Sequence, residues 1–127
     1  MLFLVIAFTS CSGLQFSQQS LDETQNITTT SLDLISKSNT PYANHSEAVE
    51  KLKSQVQAIY VKEQTRKSNQ ATISMWKEVI SGDGNLFALL DLWKQNGTLS
   101  PAMRDESMKK IQRLLNSIYD LEQHKQL

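Results

Sequence analysis

Few side chains in this sequence combine the type and spacing that catalysis or metal binding requires. The two histidines, His45 and His124, lie far apart in the chain. A metal site needs several clustered donors, so we interpret both as surface residues. The serines form no GxSxG nucleophile elbow, and no HExxH, Walker or dinucleotide-binding motif occurs. These features predict a protein that is not an enzyme, with no catalytic residues, no metal and no cofactor.

The segment from Ser81 to Asn85 (SGDGN) has the composition of a calcium-binding loop. It lacks the spaced carboxylates and the closing glutamate of an EF-hand. The end of one helix followed by the start of another explains the same residues better. We expect Gly82 to end a helix in the left-handed conformation, and Asp83 or Asn85 to cap the next helix.

Trp93 and Leu99 flank a turn at Asn96-Gly97 and are candidate interaction residues. A binding loop is one interpretation of this stretch, because loops often carry recognition. Packing of both side chains around the turn is the other interpretation, and it is favoured because each residue there has a local geometric role. Trp76 and Trp93 could also stack on a ligand, but their helical spacing among aliphatic residues favours the core.

The N-terminal residues 2–11 (LFLVIAFTSC) are an apolar run followed by Thr9, Ser10 and the only cysteine, Cys11. The run is too short for a membrane-spanning helix, which needs about 20 apolar residues. The segment resembles the lipobox-containing signal peptide of a bacterial lipoprotein precursor, with Ser10 as the small residue before the cysteine. The resemblance implies that residues 1–10 are removed and that Cys11 is lipidated. The alternative is a buried or unmodified thiol.

Three Asn-x-Ser/Thr sequons occur, at Asn26, Asn44 and Asn96. In a eukaryotic secreted protein these asparagines would be candidate glycosylation sites. Roles in helix capping explain Asn44 and Asn96 without glycosylation. A eukaryotic secreted helical protein is therefore kept as a minority alternative.

Residues 12–30 are rich in Ser, Thr, Gln and Asn and contain few apolar side chains. Such a segment buries too little apolar surface to offset the entropy of ordering, so we predict a flexible linker. Residues 32–35 (LDLI) are the exception, and we expect a short helix or a strip that docks on the domain. The predicted organisation is a signal peptide at 1–10, a lipidated cysteine and linker at 11–42, and a helical domain at 43–127.

Apolar residues spaced by three and four predict four amphipathic helices within the domain. The first helix begins at Asn44 or Ser46, with Asn44 and Glu47 as a capping box. The second helix spans about residues 72–81, and the third ends at Asn96-Gly97. The last helix has the clearest start and is expected to run nearly to the C-terminus: Ser100 is its N-cap and Pro101 its first residue.

Together these signals predict an all-α fold, a small antiparallel bundle of about four helices after a disordered N-terminal linker. The core would contain about two dozen apolar side chains, each stabilising the fold by roughly 1.5–3 kcal/mol. The ordering cost of about 1.5 kcal/mol per residue leaves a marginal total. A homo-oligomer, or a partner that covers an apolar face, would add stability, and we keep both as hypotheses.

The balance of acidic and basic residues and the N-terminal residues 2–11 together indicate which class of function to expect. Acidic and basic residues number 13 each, so no bulk attraction to nucleic acid is expected. The resemblance implies a bacterial envelope lipoprotein, anchored in the membrane through Cys11 and facing the periplasm or the exterior. If proteobacterial sorting applies, Ser12 favours the outer membrane over the inner. We predict a non-catalytic protein-interaction or structural module. The alternative is a soluble periplasmic or secreted inhibitor or immunity-type protein that uses an apolar helix face.

Overall fold

The computed structural model describes residues 16–125 and confirms the all-α prediction. Over these residues the chain forms five α-helices and one short 3-10 turn, and no strand occurs within them. In chain order the elements are α1 (Gln18–Ser36), the 3-10 turn (Tyr42–Asn44), α2 (Ser46–Gln64), α3 (Gln70–Ser81), α4 (Leu86–Asn96) and α5 (Pro101–His124).

Helices α1, α2, α3 and α5 pack side by side as an antiparallel bundle. An antiparallel bundle of four helices is predicted from the sequence, but with α4 in the place that α1 takes in the structure. The start of α1 contacts the ends of both α2 and α5. The Ser20 hydroxyl donates a hydrogen bond to Glu63 on α2 (2.6 Å), and the Ser17 N–H donates one to Glu122 on α5 (3.0 Å). Helix α1 therefore runs opposite to both of its neighbours.

Helix α4 closes the opposite end of the bundle, where α1 ends and α5 begins. The connection between α1 and α2 is hydrogen-bonded to the turn between α4 and α5. The Leu99 N–H donates to the Ser38 carbonyl (2.7 Å), and the Tyr42 N–H donates to the Gly97 carbonyl (2.8 Å). These two backbone bonds hold the irregular segments of this end together.

Helix α1 shows that the predicted linker is wrong over Gln18–Ser36. The Thr24 and Thr28 hydroxyls donate to the carbonyls four residues earlier, at 2.7 and 2.8 Å, so these two polar side chains are buried with their hydrogen bonds satisfied. Residues 32–35 belong to the same helix, and the domain begins by Ser17 rather than at residue 43. The buried residues of α1 repeat at spacings of three and four: Ser20, Leu21, Thr24, Ile27, Thr28, Ser31, Leu34 and Ile35.

The boundaries of the later helices agree with the sequence to within a few residues, but two predicted caps differ. Asn85 takes the N-cap position of α4, but its side chain makes no capping hydrogen bond. The Ser100 hydroxyl accepts a hydrogen bond from the Met103 N–H (3.2 Å), which confirms the predicted N-cap of α5. The capping box at Asn44 is wrong, because Asn44 closes the 3-10 turn and His45 takes the N-cap position of α2. The His45 side chain makes no capping hydrogen bond there.

Two glycines end helices for different reasons. Gly82 ends α3 in an extended conformation (φ −74°, ψ 139°), which corrects the left-handed conformation predicted for it. Glycine is needed there because a Cβ atom would lie 2.6 Å from the backbone carbonyl oxygen of Glu78. Gly97 ends α4 with a φ of 80°, a conformation that L side chains rarely adopt.

The core fills the space between the bundle helices and α4, and little large apolar surface is left outside it. Within residues 16–125, only Val61 and Met103 are large apolar side chains that are exposed. None of the described helices is long and apolar enough to cross a bilayer. The largest fully buried apolar side chains are Trp76, Trp93, Ile35, Leu52, Leu86, Leu90, Ile111, Leu115, Ile118 and Val49.

Candidate functional sites: a buried ionic cluster and an open groove

Four charged side chains are gathered where α1 and α3 begin and α2 and α5 end. We call this set the ionic cluster: Glu63, Arg66, Glu122 and Lys125. The Arg66 guanidinium donates to Glu63 (2.6 Å) and to both carboxylate oxygens of Glu122 (2.6 and 3.1 Å), and Lys125 donates to Glu122 (3.2 Å). The side chains of Glu63, Glu122 and Lys125 are almost fully buried. Two acids and two cations compensate each other in the cluster.

Neutral side chains complete the hydrogen bonding of the cluster. Glu63 accepts from the Ser20 hydroxyl (2.6 Å) and from the Asn69 amide (2.7 Å). The Lys125 ammonium donates to the side-chain amide oxygen of Asn69 (2.6 Å) and to the Thr72 hydroxyl (3.2 Å). Because buried charges are costly unless they are paired and hydrogen-bonded, this arrangement removes most of the cost of their burial. The cluster joins α1, α2, α3 and α5.

The pKa shifts of Glu122 and Arg66 favour the ionised forms of these two groups. Burial disfavours the carboxylate of Glu122, but hydrogen bonds from Arg66, the Ser17 N–H and Lys125 outweigh it and hold the pKa of Glu122 below its ordinary value. The hydrogen bond to Glu122 raises the pKa of the Arg66 guanidinium. An acid that is held ionised, with its oxygens occupied, is poorly suited to donate a proton. The geometry therefore supports a structural role for the cluster.

The structure places the candidate interaction residues Trp93 and Leu99 inside the fold. Trp93 has no exposed surface and Leu99 is 4% exposed. The Trp93 indole N–H donates to the Thr40 carbonyl (2.9 Å), the Tyr42 ring lies edge-on to it at 5.4 Å, and the His45 ring lies at 5.5 Å. Both side chains fix the closed end of the bundle. The interaction role is therefore corrected to packing, because a partner cannot reach them.

The other residues that the sequence suggests for ligand stacking, metal binding or lipidation do not form a common site. Trp76 is fully buried in the core, so it offers no surface for stacking. His45 lies beside Trp93, whereas His124 is exposed at the end of α5. Residues 16–125 contain no group of three or more potential metal ligands from His, Cys, Asp and Glu. The predicted lipidation site, Cys11, lies outside the described residues.

A groove of about 480 Å³ lies between α4 and α5, and the sequence did not predict it. Its volume is within the range of about 300–1,000 Å³ that is typical of ligand-binding sites. Met103, in the first turn of α5, is 41% exposed at its edge. The apolar part is formed by Ala88, Leu89, Leu92 and Met103, and the polar part by Gly84, Glu106, Ser107, Lys110 and Arg113.

The polar side of the groove is mainly cationic. Lys110 and Arg113 line it, and Lys109 and Arg113 line a smaller adjoining depression on α5. The Lys110 ammonium donates to the backbone carbonyl of Asp83 (2.8 Å). Among the described residues, no carboxylate lies within ion-pair distance of Lys109, Lys110 or Arg113. Glu106 is the one acid among the residues that line the groove.

Comparison with known proteins identifies no relatives: no protein-family model, curated protein or solved structure matches this chain. The function is therefore inferred from the residues and their geometry.

Proposed function

We propose that this protein is a small lipid-anchored protein of the bacterial envelope that binds another protein without catalysing a reaction. The observation that carries the binding role is the groove between α4 and α5. It combines an open apolar surface with the exposed Met103, whereas the aromatic side chains of Tyr42, Trp76, Phe87 and Trp93 are buried in the core. Open apolar surface rimmed by polar residues is typical of interaction sites.

The position of α1 determines which end of the bundle the proposed lipid anchor would hold near the membrane. Cys11 lies six positions before Ser17 in the sequence. The Ser17 N–H donates to Glu122, at the end of the bundle that contains the ionic cluster. Six residues span at most about 20 Å, so a lipidated Cys11 would hold that end close to the membrane. Met103 and Glu122 are 19 positions apart on α5 (122 − 103), about 28 Å along the helix axis. The Met103 end of the groove would then lie at the end of the bundle that is farther from the membrane.

The anchor is tested by intact mass and fractionation of the exported protein. We expect a diacylglyceryl-modified Cys11 as the first residue, found in the membrane fraction. Two acyl chains anchor a protein stably, and a Cys11→Ser variant has no thiol to carry them, so it should lose the diacylglyceryl mass and move to the aqueous fraction. The matched variant Ser12→Ala should stay in the membrane. A wild-type protein with an unmodified cysteine, or one that lacks residue 11, would contradict the anchor.

The binding role is tested by site-specific photo-crosslinking in the native envelope. A benzoylphenylalanine at Ala88, in the groove, is expected to give a discrete crosslinked product. The same group at Ala71, which is exposed on α3, serves as the matched control and should give none. Equal crosslinking from both positions, or none from Ala88, would contradict a binding role for the groove.

A second candidate is a soluble secreted protein of the inhibitor or immunity type that uses the same groove against a target. One observation favours secretion through a eukaryotic pathway: the three sequon asparagines, Asn26, Asn44 and Asn96, are all exposed. The two buried asparagines, Asn69 and Asn85, lie outside sequons. The same intact-mass measurement separates the two candidates. A secreted protein of the second kind would carry an unmodified N-terminus and glycans that an N-glycosidase removes.

A further inference from the structure

We propose that the groove between α4 and α5 binds an acidic amphipathic helix of another protein. Apolar side chains of that helix would enter the groove, and its carboxylates would face Lys109, Lys110 and Arg113. This inference rests on the proposed binding function of the groove, but it does not depend on the lipid anchor.

The shape of the groove fits apolar side chains of an elongated segment. Its volume of about 480 Å³ is about three times that of the engineered apolar cavity that binds benzene. The groove is open to solvent between α4 and α5, so side chains can enter it from outside. Leu92 and Met103 provide flexible apolar contacts, and methionine adapts well to different partners.

The charges around the groove favour carboxylates on the partner. Asp105, one helical turn before Lys109, is hydrogen-bonded to Arg104 (2.9 Å); Lys109 attracts Asp105 only from beyond ion-pair distance, so it makes no direct contact with it. The other cations, Lys110 and Arg113, likewise have no ion pair within the described residues. A carboxylate that approaches these cations would gain charge-assisted hydrogen bonds, and the arginine could bind it in a bidentate manner.

The spacing of the cations fits a helical partner. Lys109 and Arg113 are four residues apart, so they lie on one face of α5 with Cβ atoms about 5–6 Å apart. Acidic residues at positions i and i+4 of a partner helix have the same separation. Apolar residues at i+3 and i+7 of that helix would face the groove, which is the common mode of helix-in-groove recognition.

The test is fluorescence anisotropy with the exported protein in non-ionic detergent and three short labelled peptides. The first peptide consists of Glu-Glu-Leu-Leu repeats, the second replaces each Leu with Ala, and the third replaces each Glu with Lys. We expect the first peptide to bind, with an affinity that falls as salt is raised, and the other two to bind at least about tenfold more weakly.

Charge reversal then locates the binding site. The double variant Lys109→Glu/Arg113→Glu should weaken binding of the acidic peptide by about tenfold or more. The matched double variant Lys51→Glu/Lys77→Glu changes net charge equally on exposed positions of α2 and α3, and should weaken it less than about twofold. Met103→Glu should also weaken binding, because it removes the exposed apolar contact and adds a repelling charge.

The possible outcomes separate this inference from the proposed function. Equal binding of the acidic and basic peptides, or equal weakening by the two double variants, would overturn the proposed acidic partner. If no peptide binds but Ala88 still gives a discrete crosslink, the groove binds a partner of different chemistry and this inference alone is wrong. If no peptide binds and Ala88 gives no crosslink, the proposed function fails as well.

Discussion

The variant Glu122→Gln tests whether the ionic cluster stabilises the fold. It removes one buried negative charge and leaves Arg66 and Lys125 with a single carboxylate between them. Removing one partner of a buried ion pair typically costs about 3–5 kcal/mol. A domain of this size has a total stability of roughly 5–15 kcal/mol, so the loss would be a large part of it. The melting temperature should fall by more than about 10 °C.

The same variant gives a pH signature with a defined sign. In the folded protein the pKa of Glu122 lies below its ordinary value of 4.5, so the unfolded chain binds more protons between these two values. Its contribution to the free energy of unfolding is present above about pH 4.5 and is lost as the pH falls through the folded-state pKa. The difference in stability between the wild type and Glu122→Gln should therefore narrow on acidification.

Urea titrations followed by circular dichroism at several pH values would measure both effects. Glu50→Gln, on an exposed position of α2, is the control and should change stability by less than about 0.5 kcal/mol. A loss for Glu122→Gln below about 1 kcal/mol at neutral pH would refute the reasoning. A difference that stays constant from neutral to acidic pH would also refute it.

Three smaller predictions test individual elements by thermal or urea unfolding. Ile27→Ala should cost about 2–4 kcal/mol, because Ile27 is 3% exposed in α1; no loss would mean that this segment does not pack on the bundle. Ser31→Ala should be neutral or stabilise by up to about 1 kcal/mol, since the buried Ser31 hydroxyl has no hydrogen-bond partner among the described residues; a loss above about 1 kcal/mol would contradict this. Ser100→Ala should cost about 1 kcal/mol, measured against the exposed control Ser54→Ala.

The later helices could be predicted from the sequence because each has a strong apolar stripe and ends at a recognisable residue. The start of α5 is the clearest case, since Ser100 and Pro101 act locally and need no tertiary information. Helix α1 was missed because its buried face consists largely of Ser and Thr. Counting Ser20, Thr24 and Ser31 as small core residues, together with Ile27 and the residues that follow, would have revealed the same spacing of three and four.

The ionic cluster could not be predicted because its partners are distant in sequence. Arg66 and Glu122 are 56 residues apart, and only the folded bundle brings them together. Local pairing rules also mislead here: they suggest that Glu63 pairs with Lys67 four residues later, whereas Glu63 pairs with Arg66 three residues later. One sequence signal was present, since Glu122 continues the apolar stripe of α5 and so falls on its buried face.

Different interactions stabilise the two ends of the bundle, and the proposed lipid anchor offers a reason for this difference. The end with α4 is held by Trp93 and by backbone hydrogen bonds between connecting segments. At the other end, the first turn of α1 is held by Ser17 and Ser20 through the buried carboxylates of Glu122 and Glu63. A lipid on Cys11 would transmit any pull from the membrane to this turn first. Its detachment would expose the buried face of α1, and in a protein anchored through Cys11 the charge-assisted bonds at this end would oppose that detachment.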